Sequence, residues 1–130
     1  MSHLKSLKLA LTGLLFMGAL ACAGVQAKVL PPANALPPIA LTELPRQGAQ
    51  TYQLIHLGGP FAHEKDGVVF GNRERLLPPQ KRGYYLEYTV ASPAARNRGA
   101  LRIVCGGPAR TPEACYYSAD HYASFRKIVP

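Results

Sequence analysis

The sequence predicts an α+β domain in which one N-terminal helix packs on an antiparallel β-sheet. Three observations lead to this class. Apolar residues recur at helical spacing over one stretch, between Pro45 and the run Gly58-Gly59-Pro60. The apolar runs that follow are short, and the clearest of them alternate as strands do. The connections between these runs are also short, which favours antiparallel neighbours.

The first 27 residues have the pattern of a secretory signal peptide. Two lysines precede an almost wholly apolar run from residue 9 to residue 25, and Val25-Gln26-Ala27 offers the small residues that signal peptidase recognises. Two alternatives stay open: a retained transmembrane helix, and lipoprotein processing at Cys22. The sequence therefore predicts export to the periplasm or the extracellular space, with no membrane attachment after cleavage.

Net charge indicates a negatively charged partner. Removing 27 of the 130 residues leaves 103, enough for one small domain but not for two. That domain keeps 13 of the 15 basic residues and all 7 acidic residues, which gives a formal charge of +6. An exported domain this basic is expected to meet a polyanion such as nucleic acid, anionic lipid or acidic polysaccharide. Charge alone does not choose among them.

Two of the three cysteines, Cys105 and Cys115, belong to the mature chain. An even number of cysteines in an exported protein predicts a disulfide. This bridge would close a loop of about ten residues and stabilise the fold by roughly 2–3 kcal/mol. Two cysteines without a nearby histidine pair are too few for a metal site, so we expect no metal and no other cofactor.

Residues 28 to 40 form a proline-rich leader. Pro31-Pro32 and Pro37-Pro38 favour an extended, polyproline-like chain over a helix. We therefore assign residues 41 to 130 to the folded domain and give the leader no function of its own.

The helix is expected to begin at Pro45, because proline suits a first helical turn, and to end at Gly58. It would span about three turns. Its apolar face, which we expect to cover a sheet, consists of Ala49, Tyr52, Leu54 and Ile55.

Four strands are predicted after the helix, at residues 68–70, 84–90, 100–105 and 121–129. In the second strand, large apolar side chains alternate with a set that contains an acid. The alternation places Tyr84, Leu86, Tyr88 and Val90 on one face and Tyr85, Glu87 and Thr89 on the other. In the third strand it separates Leu101, Ile103 and Cys105 from Arg102 and Val104.

Glu87 precedes a group of arginines that are spaced to share one side of the sheet. Arg96, Arg98 and Arg102 have the same strand parity, and three cations on one stripe repel each other unless an anion binds them. Taken alone, the acid and the stripe also fit an ordinary solvated surface.

His121 completes a set of side chains suited to cleaving RNA. It lies where a polar turn enters the last predicted strand, next to Asp120 as an acid partner that it could bond. RNA carries its own nucleophile, the 2′-hydroxyl. A carboxylate such as Glu87 can remove the proton of that hydroxyl while an imidazolium protonates the departing 5′-oxygen. Guanidinium groups stabilise the charge that builds on the phosphoryl oxygens, and no metal ion is required.

Five stretches resemble the small secreted guanyl-preferring ribonucleases related to barnase. They are GPF from residue 59, DGVVFGNRE from 66, GYYLEYTV from 83, ARNRGALRIV from 95 and DHYASF from 120. The motifs occur in family order with matching spacing, over residues 40 to 129. The resemblance implies the microbial ribonuclease fold, in which a helix packs on one face of an antiparallel sheet and RNA binds the other face.

The resemblance also implies a role for each residue of the set. Glu87 matches the general base and His121 the general acid. Arg98 and Arg102 match the phosphate-binding pair, and Tyr122 is similarly placed to contact phosphate. One departure concerns the disulfide that ties the N-terminal part of the domain to its C-terminus in relatives, which cannot form because no mature cysteine lies near either end.

Glu74 matches the family carboxylate that recognises the base. That carboxylate accepts the N1–H and N2–H groups of guanine, whereas adenine presents an acceptor at the equivalent ring nitrogen. Phe70 resembles the aromatic residue on which the base stacks, and backbone N–H groups around Asn72 and Arg73 would face guanine O6. In the rival interpretation, Glu74 is only a solvated ion pair with Arg73 and Arg75.

Two functions from different classes follow. The first is a secreted, metal-independent endoribonuclease that cuts single-stranded RNA 3′ of guanosine through a 2′,3′-cyclic phosphate. The second is a non-catalytic module of the same fold that binds RNA or another polyanion. A toxin acting between bacteria would use the same chemistry as the first. We expect a monomer, and the family makes a protein inhibitor of the barstar type a candidate partner.

Overall fold

The computed structural model describes residues 36–130, together with the isolated Gly13 and Gly24. The predicted signal peptide, apart from those two glycines, and residues 28–35 of the predicted leader lie outside the described residues. The described part contains one α-helix, α1 (Arg46–Leu57), and a 3-10 turn (Leu41–Glu43). Its strands are β1 (Ile39–Ala40), β2 (Val68–Val69), β3 (Tyr85–Thr89), β4 (Arg102–Gly106), β5 (Ala114–Ser118) and β6 (Arg126–Val129). The predicted α+β class is confirmed. No helix among residues 36–130 has the length and apolar character that a membrane crossing needs.

The strands form one sheet in the order β1-β6-β5-β4-β3-β2. From β2 to β6 each strand is antiparallel to the next, as the short connections predicted. β1 is instead parallel to β6, with Ile39 opposite Ile128 and Ala40 opposite Val129. This pairing can be parallel because β1 and β6 come from opposite ends of the domain and are not joined by a hairpin. Two residues of the predicted leader therefore belong to the sheet.

Two strand predictions differ from the structure. β5 was not predicted, because both of its faces carry large side chains, such as Tyr116 and Tyr117, and the sequence shows no polar alternation there. The last strand begins at Arg126 and not at His121. The chain turns at His121 and Tyr122, where φ is 54° and 69°, so it cannot yet be extended.

The ends of α1 agree with the prediction. The helix follows Pro45 and stops at Gly58, which has a φ of 82°. The N–H of Gly59 donates to the carbonyl of Leu54 at 3.0 Å. This bond closes the helix with a Schellman motif, for which a glycine in the left-handed conformation is well suited.

The face that α1 turns to the sheet is offset from the predicted apolar set. Ile55 is 1 % exposed, and the small residues Gly48 and Thr51 are buried beside it. The Thr51 hydroxyl donates to the carbonyl of Thr89 on β3 at 3.4 Å, so this polar residue is satisfied inside the interface. The rest of the predicted set is only half-buried: Ala49, Tyr52 and Leu54.

Strand alternation divides the apolar side chains between two clusters. The larger cluster lies between α1 and the sheet and includes Ile55, Tyr88, Val90 and Ile103. The smaller cluster lies on the other face of the sheet, around Leu77, Tyr85 and Val104. Tyr84 was predicted to share a face with Leu86, Tyr88 and Val90, but it packs with the smaller cluster because it precedes β3 and does not follow the alternation of that strand. Glu87, two residues from Tyr85, shares the face of the smaller cluster.

The predicted disulfide between Cys105 and Cys115 is present. The two cysteines are directly opposite each other on β4 and β5, with Cα atoms 4.1 Å apart. Each is 4 % exposed within the larger cluster. The bridge therefore clips the β4–β5 hairpin on the helix side of the sheet, away from Glu87.

Candidate active site

The loop of residues 70–77 forms one wall of the candidate site. Phe70 is still attached to the sheet, since its N–H donates to the carbonyl of Tyr85 at 2.9 Å. Asn72 has a φ of 47°, and its side chain bonds Leu77 in both directions. Its Nδ2 donates to the Leu77 carbonyl at 3.0 Å, and the Leu77 N–H donates to its Oδ1 at 3.1 Å. Leu77 is 2 % exposed in the smaller cluster, so it anchors the far end of the loop.

Glu74 is exposed on this loop and is not neutralised by its neighbours. Within residues 36–130 the structure has one ion pair, between Arg98 and Glu87. Neither Arg73 nor Arg75 therefore pairs with the Glu74 carboxylate. A carboxylate in this situation can accept hydrogen bonds from a ligand.

A groove of about 510 Å³ separates this loop from the turn of residues 121–125. Its walls consist of Phe70, Gly71, Asn72, Arg73, Glu74 and Leu76 on one side and of His121, Tyr122, Ala123 and Phe125 on the other. The Phe70 ring stacks on the Tyr122 ring, with centroids 5.1 Å apart, and meets the Phe125 ring edge-on at 5.8 Å. These contacts give the groove an aromatic lining beside the Glu74 carboxylate.

Glu87 and Arg98 meet on the same face of the sheet as the groove. Glu87 projects from the middle of β3, and its Oε1 lies 3.5 Å from Nη2 of Arg98. Nε of Arg98 donates to Oγ1 of Thr89 at 2.8 Å. Its Nη2 is buried and has no hydrogen-bond partner among the described residues. A guanidinium nitrogen in this state is suited to an anionic oxygen of a ligand.

Arg102, at 2 % exposure, is a buried cation held by several acceptors. Its Nη1 donates to the carbonyl of Leu101 at 2.8 Å and to that of Arg98 at 3.3 Å. Its Nε donates to the hydroxyl of Tyr122 at 3.1 Å. These bonds offset part of the cost of burying the charge and hold the guanidinium in one orientation.

The Tyr122 hydroxyl is an electrostatic neighbour of both Glu87 and Arg102. Burial raises the pKa of this phenol above its ordinary value of 10.0, and the negative charge of Glu87 raises it further. The hydrogen bond from Arg102 acts in the opposite direction. Because the net shift is upward, the hydroxyl stays protonated at neutral pH and can donate a hydrogen bond to an anion.

His121 lies on the opposite wall of the groove from Glu74. It is exposed, and its backbone N–H donates to the carbonyl of Ala100 at 3.0 Å. Its ring centroid is 5.0 Å from that of Tyr122. Tyr122 packs with the smaller cluster, on whose face Glu87 lies, so His121 is on the same side of the sheet as Glu87.

Asp120 was named from the sequence as a possible acid partner of His121, but its hydrogen bonds go to two serines. The Asp120 carboxylate accepts hydrogen bonds from the Ser118 hydroxyl at 2.9 Å and the Ser124 N–H at 2.9 Å, and another from the Ser124 hydroxyl. These bonds, the Ser124 hydroxyl first among them, hold the pKa of the Asp120 carboxyl below its usual value. The carboxylate is turned back toward the serines, so it closes the turn that carries His121.

The structure brings the predicted catalytic set together on one face of the sheet: Glu87, Arg98, Arg102 and His121, with Tyr122 between them. Arg96 is not part of this arrangement. Arg96 and Arg98 both lie in residues 92–99, which form turns and bends and no strand, so strand parity groups neither of them with Arg102. Arg98 reaches the site through its contacts with Thr89 and Glu87, whereas Arg96 is exposed.

Two residues that shape the site were given no role from the sequence. Phe125 packs on Phe70 and lines the groove, and Thr89 holds Arg98. A signal existed for Thr89, because it lies two residues after Glu87 in one strand and therefore shares its face. For Phe125 the signal was its place in the DHYASF stretch.

Known proteins with similar sequences are ribonucleases. A family model described as ribonuclease matches residues 32–129. The chain is 50 % identical over 90 residues to guanyl-specific ribonuclease Sa3 of Kitasatospora aureofaciens. This match covers 69 % of this chain and 62 % of that protein. It is 48 % identical over 90 residues to guanyl-specific ribonuclease Sa of the same organism, covering 69 % of this chain and 91 % of the relative.

Solved structures agree with the sequence matches. A structure of ribonuclease Sa2 in complex with mononucleotides is similar with a TM-score of 0.68 and 45 % identity, covering 74 % of this chain and 96 % of that one. A structure of ribonuclease Sa2 with guanosine-2′-cyclophosphate has a TM-score of 0.66 and 45 % identity, covering 74 % and 98 %. Because the family model matches well over half of the chain and the relatives are far above 30 % identical, this chain belongs to the guanyl-preferring microbial ribonucleases related to barnase.

Proposed function

We propose that this protein is a metal-independent endoribonuclease that cuts single-stranded RNA on the 3′ side of guanosine. The observation that carries the proposal is a convergence on one face of the sheet. The converging groups are the Glu87 carboxylate, two guanidinium groups, the Tyr122 phenol and the His121 imidazole. They lie beside a groove with a second carboxylate, that of Glu74, in its wall, and Glu74 makes no ion pair within residues 36–130. The guanyl-specific relatives and the Sa2 structure with guanosine-2′-cyclophosphate support the choice of substrate.

Guanine recognition would take place in the groove. Glu74 accepts the N1–H and N2–H groups of guanine, which are the two adjacent donors on its Watson–Crick edge. Backbone N–H groups at Asn72 and Arg73 face the O6 atom. The half-buried Phe70 ring provides the apolar surface on which the base lies. Adenine would leave the Glu74 carboxylate facing an acceptor, so it is rejected.

The first chemical step is a transesterification. Glu87 takes the proton of the 2′-hydroxyl, and the 2′-oxygen attacks the phosphorus. The bond from phosphorus to the 5′-oxygen breaks as His121 gives that oxygen a proton, which leaves a 2′,3′-cyclic phosphate. Arg98, Arg102 and Tyr122 donate hydrogen bonds to the phosphoryl oxygens, where negative charge increases in the transition state.

The second step reverses the proton transfers. His121, now neutral, takes a proton from water, and the oxygen of that water attacks the phosphorus of the cyclic phosphate. The bond from phosphorus to the 2′-oxygen breaks as Glu87 returns its proton to that oxygen, so the product is a 3′-phosphate. Both residues end in their starting protonation states.

The enzyme would act after export from the cytoplasm. The signal peptide would be removed after Ala27, and the domain would act outside the cytoplasm as a monomer, with a protein inhibitor of the barstar type as the partner to search for. N-terminal sequencing of the exported protein tests the first point. The expected first residue is Lys28, whereas a lipid-modified Cys22 would show lipoprotein processing.

Mass analysis of the products from an oligoribonucleotide that contains each base once tests the activity. In excess chelator, we expect one cut after guanosine, with a cyclic phosphate end that later becomes a 3′-phosphate. The matching oligodeoxynucleotide lacks the 2′-hydroxyl and should stay intact. If the RNA is bound but not cut, and the substitutions Glu87→Gln and His121→Gln leave RNA binding unchanged, the protein is a non-catalytic RNA-binding module.

A further inference from the structure

Every polar group of Thr89 has a partner inside the protein. Thr89 is 6 % exposed at the end of β3. Its N–H donates to Oδ1 of Asp66 at 2.7 Å, and its carbonyl accepts from the Thr51 hydroxyl at 3.4 Å. Its own hydroxyl accepts from Nε of Arg98 at 2.8 Å. Asp66 in the loop before β2 and Thr51 in α1 therefore hold the backbone of Thr89. Its hydroxyl oxygen faces Arg98 on the active-site side of the sheet.

Arg98 needs such a partner because it does not belong to the sheet. It lies in the turns of residues 92–99, and its side chain is 24 % exposed. A long side chain on a turn has many rotamers, and ordering it costs free energy. The bond from Nε to Thr89 restrains the guanidinium plane and uses neither of the two outer nitrogens. Nη2 then lies 3.5 Å from Glu87 with no hydrogen-bond partner in the described residues.

The support behind Thr89 is independent of the active site. Asp66 uses its second oxygen to accept the N–H of His63 at 3.1 Å, so this carboxylate is itself held in its loop. Because these bonds go to the backbone of Thr89, a substitution that removes only the hydroxyl leaves them in place. The hydroxyl can therefore be tested separately from the support.

We infer that Thr89 is a positioning residue of the ribonuclease, whose hydroxyl holds Arg98 in the orientation that meets the scissile phosphate and the general base. The inference rests on the proposed function, since it assigns Arg98 to the phosphate. Thr89 does not touch the substrate. It acts through Arg98, so the effect of its hydroxyl on activity should disappear when Arg98 is removed. The effect of a purely structural residue would not depend on Arg98.

The test compares Thr89→Ser with Thr89→Ala, which lack the same methyl group and differ only in the hydroxyl. We expect kcat/KM on a guanosine-containing dinucleotide to stay near that of the wild type for Thr89→Ser and to fall by about ten-fold for Thr89→Ala. In an Arg98→Ala background the two variants should be equal, because the group that the hydroxyl holds is gone. Equal activity of the two variants in the wild-type background would overturn the inference. So would an unchanged difference in the Arg98→Ala background, because Thr89 would then act through the fold.

A binding measurement separates this inference from the proposed function. Inorganic phosphate is the probe, and its affinity for each folded variant is measured by calorimetry. We expect Thr89→Ala to bind phosphate about ten-fold more weakly than Thr89→Ser. If the wild type failed to cut RNA, the proposed function would be wrong, yet this affinity difference would still show that Thr89 positions Arg98. Normal RNA cleavage with equal phosphate affinities would overturn the role of Thr89 alone.

Discussion

Asn72 and Leu77 bond each other twice across the loop that carries Glu74, with distances of 3.0 and 3.1 Å. The pair closes a loop in which Asn72 and Arg75 both have positive φ, 47° and 56°. Leu77 is buried, so its N–H and carbonyl depend on the Asn72 side chain as their partner. The pair therefore determines where the exposed Glu74 carboxylate lies relative to the groove.

The first prediction concerns this pair. Asn72→Gly keeps the positive φ available but removes both bonds, so the loop should loosen. We expect the ratio of kcat/KM at guanosine sites to that at adenosine sites to fall by about ten-fold, and the free energy of unfolding to fall by about 1–3 kcal/mol. Arg75→Gly is the matched control, since it changes the other positive-φ residue of the loop without touching the two bonds. An equal loss of discrimination in both variants would show that the pair has no special role.

The second prediction concerns base choice. Glu74→Gln replaces one acceptor oxygen by an NH₂ group, which would face a donor of guanine. Activity at guanosine sites should fall by about a hundred-fold or more, while the weak activity at other bases should change little. Arg73→Gln removes the neighbouring cation and should lower activity at all sites alike, more so at low salt. Equal losses at all four bases for Glu74→Gln would mean that this carboxylate does not read the base.

The parts of the fold that the sequence could predict depend on strong local patterns. The alternation around Glu87 placed it on the correct face, and the glycines after Leu57 gave the end of α1. β5 could not be predicted, because Tyr116 and Tyr117 face opposite sides of the sheet and both are large. The parallel pairing of β1 also escaped prediction, since it joins the two ends of the domain.

The sequence predicted which residues would face RNA, but not which residues hold them in place. Family motifs marked the groups that would face RNA, whereas the groups that hold them bond across long sequence separations. Thr89 bonds Asp66, which is 23 residues away, and no local pattern in the sequence indicates that contact. For Asp120, adjacency in sequence was misleading. His121 is its neighbour in the chain, but its hydrogen-bond partners are Ser118 and Ser124.

The third prediction concerns the dependence of cleavage on pH. The proposed mechanism needs Glu87 ionised and His121 protonated in the free enzyme, so kcat/KM should be bell-shaped. Glu87→Gln should lower activity by about 10²–10⁴-fold and remove the acid limb, and His121→Gln should do the same to the alkaline limb. Glu64→Gln, an exposed acid in another loop, should leave both limbs in place. A flat profile of the wild type from about pH 4 to pH 9, where such groups ordinarily titrate, would contradict both assignments.

The fourth prediction concerns the disulfide. Cys105→Ala with Cys115→Ala should lower the free energy of unfolding by about 2–3 kcal/mol, because the unfolded chain is no longer restricted by a loop of about ten residues. Cleavage should be nearly unchanged, since the bridge faces α1 and not the active-site face. Wild-type protein with its bridge reduced keeps the volume of both sulfur atoms and is the matched control. It should lose a similar amount of stability, whereas reductant should not affect the double variant. Equal stability of the oxidised and reduced wild type would contradict the prediction.

The fifth prediction concerns Asp120 and the stability of the fold in acid. Hydrogen bonds from Ser124 and Ser118 lower the pKa of this carboxyl in the folded protein. The unfolded state therefore binds the proton more readily, and stability rises with pH between the lowered folded value and the ordinary value near 3.9. The contribution of Asp120 is complete above that window and is lost as the pH falls through the folded value. Because Asp120 is exposed, we expect Asp120→Asn to lower Tm at pH 7 by only about 5 °C.

The same comparison at low pH separates this carboxyl from a general loss of structure. Below the folded pKa of Asp120 the wild type has lost the charged hydrogen bonds, so its Tm should approach that of Asp120→Asn. Glu74→Gln is the control, because Glu74 is exposed and makes no ion pair within residues 36–130. Its Tm should stay close to that of the wild type at both pH values. A constant gap in Tm between wild type and Asp120→Asn from pH 7 to pH 2 would show that the loss comes from packing in the turn, because a contribution from ionised Asp120 must disappear once the carboxyl is protonated.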